Sequence, residues 1–185
     1  MTITTEKTLI AWLEADSERK EALQVASRLR LEDWCLAAGF VRNLVWDRLH
    51  GYSEPTPLGD IDLIHFDPTD TTEGRDRFLE LQLHGMLERP WSVKNQARMH
   101  TRNGDDPYHS TADAMTYWVE RETAVGARLT VGGELEIVAP FGLGSLFALN
   151  VTMNPKKSKP EAFAARARAK GWKRNWPGLV IENGH

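Results

Sequence analysis

Residues 35–43 read Cys35-Leu36-Ala37-Ala38-Gly39-Phe40-Val41-Arg42-Asn43. The first half is small and apolar, with Trp34 before it, and has the length and character of a buried strand. A glycine closes the run. From Phe40 to Leu49 the apolar residues Phe40, Val41, Leu44, Val45 and Leu49 recur at helical spacing. The stretch therefore reads as strand, tight turn, helix. A glycine at such a turn leaves the first backbone N–H groups of the helix accessible, and these, with the helix dipole, favour an anion such as a triphosphate. Arg42 lies in that first turn, where it either adds a charge-assisted contact to the anion or pairs with an acid such as Asp47. Asn43 follows it.

Working outward, residues 50–59 (HGYSEPTPLG) carry two prolines and two glycines and must form a loop. Residues 60–67 (DIDLIHFD) then form a second strand. Successive strand side chains point to opposite sides, so Asp60 and Asp62 project together while Ile61 and Leu63 turn into apolar packing. Two like charges held so close repel, and a divalent cation between them relieves the repulsion. Magnesium suits the pair, because it binds a few carboxylates together with substrate phosphate oxygens.

A third carboxylate is offered by residues 124–140 (AVGARLTVGGELEIVAP), a hairpin around Gly132-Gly133. Glu134 lies beside the turn, whereas Glu136 sits between Leu135 and Ile137 in the strand body. If that strand lies beside the one carrying Asp60 and Asp62, three carboxylates converge on one or two metal ions, the arrangement that clamps attacking and leaving oxygens in phosphoryl transfer. Otherwise Glu136 is an exposed hairpin residue.

Elsewhere the apolar periodicity predicts two helices between Thr5 and Arg30, separated near Asp16 and Ser17, and an amphipathic helix from Thr71 to Leu87. Further helices are expected over Trp91–His100 and Ser110–Trp118, the second capped by Ser110. A short helix is expected within residues 141–150 and a longer one within residues 159–172, with residues 175–181 laid against the body. The helical reading of Trp91–His100 places Lys94 and Arg98 one turn apart, either lining a triphosphate or acceptor pocket or forming a solvated face. From Lys156 to Arg174 eight basic residues stand against the single acid Glu161. Arg166 and Lys170 share a helical face there, so this segment either meets nucleotide phosphates, RNA or an acidic protein, or is simply solvated.

The bulk properties narrow the classes. A chain of 185 residues points to a single domain, and 41% hydrophobic with 26% charged residues is an ordinary globular composition. A net charge of -3 argues against wholesale coating of nucleic acid. Cys35 is the only cysteine, so neither an intramolecular disulfide nor a thiolate zinc cage can form, which fits a reducing cytoplasm. No apolar run approaches the roughly 20 residues of a membrane span. The histidines lack the HExxH spacing of zinc enzymes, and there is no GxxxxGK[ST] phosphate loop.

The combination AAGFVRNLVWDRLHG followed by DID resembles the head of the DNA polymerase β-like nucleotidyltransferase superfamily. The form GFVRN…DID is closest to the GG-x-V-R-D…D-x-D variant of bacterial poly(A) polymerases and tRNA CCA-adding enzymes. From Trp34 to about Pro177, with TPLGDIDLIHFDP, WSVKNQARMH, RNGDDPY and LEIVAPFGL, the chain is similar to a widespread bacterial family of predicted nucleotidyltransferases with no established substrate. The resemblance implies an α/β (α+β) nucleotidyltransferase-like fold, with a small mixed sheet, helices packed on it and additional helices at both ends. It further implies a catalytic core over about residues 32–140, between helical segments at 1–31 and 141–185.

By the same resemblance Gly39 is the glycine of the phosphate-side turn, and Asp60 and Asp62 are the metal-binding pair. Glu136 is then the third carboxylate, which helps activate the attacking hydroxyl. Lys94 and Arg98 join Gly39, Arg42 and Asn43 as nucleotide-binding residues. Ala38 stands where the superfamily has a second glycine or serine, and Asn43 where the polymerase-like variant has an aspartate. The implied activity is magnesium-dependent transfer of a nucleoside monophosphate from a nucleoside triphosphate to an unnamed hydroxyl, releasing pyrophosphate. A small-molecule or protein acceptor is favoured over RNA, because little chain follows the head. The alternative is a catalytically silent module that binds nucleotide or a protein partner.

Overall fold

The buried run becomes a central strand. In the computed structural model, which describes residues 2–182, β1 (Trp34–Ala37) is buried throughout its length. It lies in the middle of a five-stranded sheet of order β3-β2-β1-β4-β5, with β2 Ile61–His65, β3 Trp91–Asn95, β4 Gly126–Leu129 and β5 Leu135–Val138. The β2–β3 pair is parallel and the other pairs are antiparallel, so the sheet is mixed as expected.

Register sorts the side chains into two faces. Leu36 pairs with Leu63 and Ala127, while Ala37 pairs with Asp62 and Gly126. The Leu36 face, with Trp34, Ile61, Leu63, Trp91 and Val93, forms one large core with apolar residues of α1 (Thr2–Ala15), α2 (Ser17–Ser27), α3 (Gly39–Leu49) and α4 (Glu73–Met86). On the Ala37 face a smaller cluster gathers Cys35, Ile64 and Val138 with Met115 and Ala124.

Local chemistry sets the element ends. The Asp16 side chain accepts from the Arg19 N–H at 3.0 Å and starts α2 at the expected break. The Thr72 hydroxyl caps α4 through the Arg75 N–H. Gly133, with φ of 82°, turns the β4–β5 hairpin. The expected helix over Trp91–His100 is corrected: residues 91–95 are strand, and α5 runs over Gln96–Asn103. Trp91, Val93 and Asn95 are buried in alternation with Ser92 and Lys94, a period of two that competes with the helical reading. Asn95 then caps α5 through the Ala97 N–H. Ser110 is a cap as expected, but its helix, α6 (Thr111–Met115), stops short of Trp118.

At the outer edge of β3, the Val93 N–H donates to Glu80 Oε2 and the Asn95 N–H to Asp76 Oδ2, both at 3.0 Å. Asp76 also receives His65 Nε2 at 2.9 Å and Arg98 Nη1 at 2.5 Å. Burial pushes the Asp76 carboxyl up, but the His65 ring, the Asn95 amide and the Arg98 guanidinium outweigh it and hold the carboxyl below its ordinary range.

The C-terminal part closes over α3. After α7 (Gly144–Phe147) and β6 (Asn150–Thr152), the chain forms α8 (Pro160–Ala169), α9 (Trp172–Asn175) and β7 (Val180–Glu182), which pairs in parallel with β6. Trp172 and Trp176 pack edge-on against Trp46 at centroid distances of 5.8 and 5.0 Å. Asp47 fixes this corner, accepting from Trp176 Nε1 at 2.8 Å and from the Thr56 N–H at 2.8 Å. Among the described residues no helix is long and apolar enough to cross a membrane.

Candidate active site

The joint between β1 and α3 is strained. Ala38 has φ 56° and ψ −123°, a conformation that costs a side chain of order 1–3 kcal/mol and that glycine adopts freely. Its N–H is tied to the Val125 carbonyl at 2.8 Å, and its carbonyl accepts from the Val41 and Arg42 N–H groups, so the surrounding structure imposes the geometry. No side chain caps α3, which leaves the amides of Gly39 and Phe40 without a cap residue. A Cβ on Gly39 would stand 3.3 Å from Asn43 Nδ2 and 3.6 Å from Arg42 Nη2. The absence of a side chain there keeps the helix start tight against its own first turn.

Across the β1–β2 register, Asp62 lies opposite Ala37, one residue from this joint. Asp60 is exposed just before β2, and Asp62 is half-buried on the strand. Burial and then the charge of Asp60 push the Asp62 carboxyl up, whereas the hydroxyl of Ser92 across β3, Lys170 and Arg42 pull it down. The charge of Asp60 thus acts on Asp62, in keeping with their spacing along the chain.

Asp62 forms one wall of a cleft of about 320 Å³. Ala38 of the joint and Lys94 of β3 line it, and the segment after α6 supplies Tyr117, Trp118, Glu120 and Thr123. The far side is closed by Lys159 and Arg166 at either end of α8. Glu120 is buried to 1% and receives Arg166 Nε at 2.6 Å and Nη2 at 3.3 Å. Larger clefts of about 740 and 750 Å³ flank the β4–β5 hairpin, but neither contains Asp60 or Asp62.

The expected site residues separate into those that meet and those that do not. Asp62 and Lys94 line this cleft, Gly39 follows Ala38 at its joint, and Asp60 stands two residues before Asp62. Arg42 lies underneath it, buried to 6%, with its guanidinium 4.9 Å from the ring centroids of both Trp46 and Trp172 and donating to Thr123 Oγ1 at 2.7 Å. Burial lowers its pKa to about 10, and Glu120 and Asp62 act against that shift. Arg42 does not pair with Asp47. Asn43 accepts from Arg42 Nη2 at 3.2 Å and so belongs to the same support.

Arg98 points to the opposite side of β3, into Asp76, because its helix begins only after Asn95. Glu136 is not brought to the acidic pair. Its strand, β5, is separated from β2 by β1 and β4, three spacings of about 4.8 Å. There it pairs with Arg128, its register partner, at 2.9 and 3.0 Å.

Sequence reasoning missed Glu120, Thr123 and Tyr117. Tyr117 falls within the helix expected over Ser110–Trp118, Glu120 makes an isolated bridge to Met153 and Thr123 ends a three-residue 3-10 helix, so only the fold gathers them around the cleft. Arg166 had a signal in the basic run, but not its partner. Among the described residues, no group of three or more His, Cys, Asp or Glu side chains is poised for a metal.

A family model described as Nucleotidyltransferase matches residues 24–181. The chain belongs to this nucleotidyltransferase family. A solved relative, a protein whose NMR structure reveals a CCA-adding enzyme head domain, is 31% identical over 96% of both chains, with a TM-score of 0.84. Two tRNA-processing enzyme structures share the fold, at 16% and 15% identity and TM-scores of 0.53 and 0.52. They align with 88% and 89% of this nucleotidyltransferase, which spans only 43% and 42% of their own chains. No curated protein matches the chain.

Proposed function

We propose that the protein transfers a nucleoside monophosphate from a nucleoside triphosphate to an acceptor hydroxyl, with Asp60 and Asp62 holding a divalent metal ion. The observation that carries this reading is the placement of the acidic pair, with Asp62 in register with Ala37, one residue from the Ala38 joint, and Asp60 two residues before it, beside a helix start that no side chain caps. The donor set fits magnesium, since two hard carboxylates leave coordination positions for phosphate oxygens. A bound magnesium would neutralise charge developing on the transferred phosphoryl group.

The chain's own residues supply the rest. The amides of Gly39 and Phe40 donate to phosphate oxygens, and Lys94, on the same face of the sheet as Asp62, adds a cation. Arg42 and Asn43 act from below, fixing Thr123 and the first turn of α3. The acceptor hydroxyl oxygen attacks the α-phosphorus and gives up its proton to water as the bond to the β-phosphate breaks, and pyrophosphate leaves. Glu136, committed to Arg128 at the sheet's far edge, takes no part.

Calorimetry with magnesium and each triphosphate, coupled to a pyrophosphate-release assay, tests the site. Asp60→Ala and Asp62→Ala should each abolish magnesium-dependent binding and lower any turnover by at least about 100-fold. Unchanged binding in both variants would refute it. Among the described residues no third carboxylate joins the pair in a group that could hold a metal, which favours a second reading, a silent nucleotide-binding module. Tight binding by the parent chain without pyrophosphate release on any acceptor would select that one.

A further inference from the structure

One ion pair of the cleft has no role in that reading. Arg166 uses Nε and one Nη2 proton on Glu120, so of the five donors of a guanidinium three N–H groups remain along its outer edge. The carboxylate is almost wholly buried, whereas the Arg166 side chain is 40% exposed and lines the cleft. A buried acid gripping an exposed arginine side-on fixes the direction of the free edge. Arg166 and Asp62 line the same cleft, so the guanidinium and the acidic strand border one space.

We infer that Arg166, oriented by Glu120, binds the distal phosphates of the triphosphate. This rests on the proposed nucleotide site, because a transferable α-phosphate must lie at Asp60 and Asp62. The leaving pyrophosphate then extends toward α8, where a guanidinium edge matches two phosphate oxygens. Glu120 is the positioning residue and Arg166 the ligand. In this arrangement α8 completes the site.

The test compares a non-hydrolysable triphosphate with the corresponding monophosphate, both in magnesium, by calorimetry on the full chain, with thermal melting alongside. Arg166→Lys keeps the charge and an ion pair to Glu120 but loses the forked edge. It should weaken triphosphate binding roughly tenfold, the size of one charge-assisted hydrogen bond, while leaving monophosphate binding within about twofold of the parent. Glu120→Gln should reproduce the Arg166→Lys pattern if orientation is its role. Equal losses for triphosphate and monophosphate, or none for either, overturn the inference. A parent chain that binds triphosphate normally beside an unaffected Arg166→Lys sinks this inference alone. A parent that binds no triphosphate in magnesium sinks the nucleotide site with it.

Discussion

The two sides of β2 make unequal demands on one strand. Ile61 and Leu63 are sealed to 2% and 0% exposure in the large core, whereas Asp62, between them, faces a cleft beside a second carboxylate. One face lowers the free energy of the fold, and the other holds charges that raise it. Alternation lets the apolar side offset the polar side residue by residue, so a destabilised site sits on a rigid strand.

The largest effect is expected from the sealed side. Leu63→Ala should cost about 2–5 kcal/mol and lower Tm sharply in a thermal melt, because a fully buried side chain leaves a cavity. The opposite side should answer with the opposite sign. Asp62 has a folded pKa above its ordinary value through burial and the charge of Asp60. Its contribution is therefore favourable below the ordinary carboxylate pKa of about 3.9 and is lost as pH rises through the folded value. Asp62→Asn should raise Tm at neutral pH, show no gain below about pH 3.9, and abolish turnover. A variant less stable than the parent at neutral pH would break the comparison.

The joint between the faces comes next. Ala38→Gly should relieve the positive φ and stabilise by about 1 kcal/mol, read as a shift in urea midpoint without a change in slope. The smallest effect belongs to Glu136, whose side chain is 46% exposed in its pair with Arg128. Glu136→Gln should change stability by less than about 1 kcal/mol and leave triphosphate binding intact by calorimetry.

The same division explains what was legible in the sequence. Strand, turn and helix from Trp34 to Leu49 could be read because buried runs and glycine punctuation are local signals, and Asp60 and Asp62 because period two is local as well. Trp91–Asn95 misled because apolar residues at 91 and 93 fit either period until burial separates them. Glu136 misled for a different reason. Its place depends on strand order, and nothing in the hairpin says that β4 will pair with β1 and leave β5 two strands from the acidic pair. Arg98 is displaced for the same reason as the strand before it, since the backbone between Lys94 and its own helix is extended through Asn95 rather than wound as a helical turn. Glu120 and Arg166, 46 residues apart, meet only after the C-terminal helices fold back.

The outer edge of β3 has a consequence for how the molecule behaves among its own copies. Open sheet edges invite a further strand and so seed aggregation. Here two of the amide protons that an incoming strand would need are already taken by Glu80 and Asp76, and its carbonyls would approach carboxylates. On that side the sheet is shut to growth by main-chain pairing, so any neighbour must dock through side chains. The acids of α4 thus guard against polymerisation at high concentration.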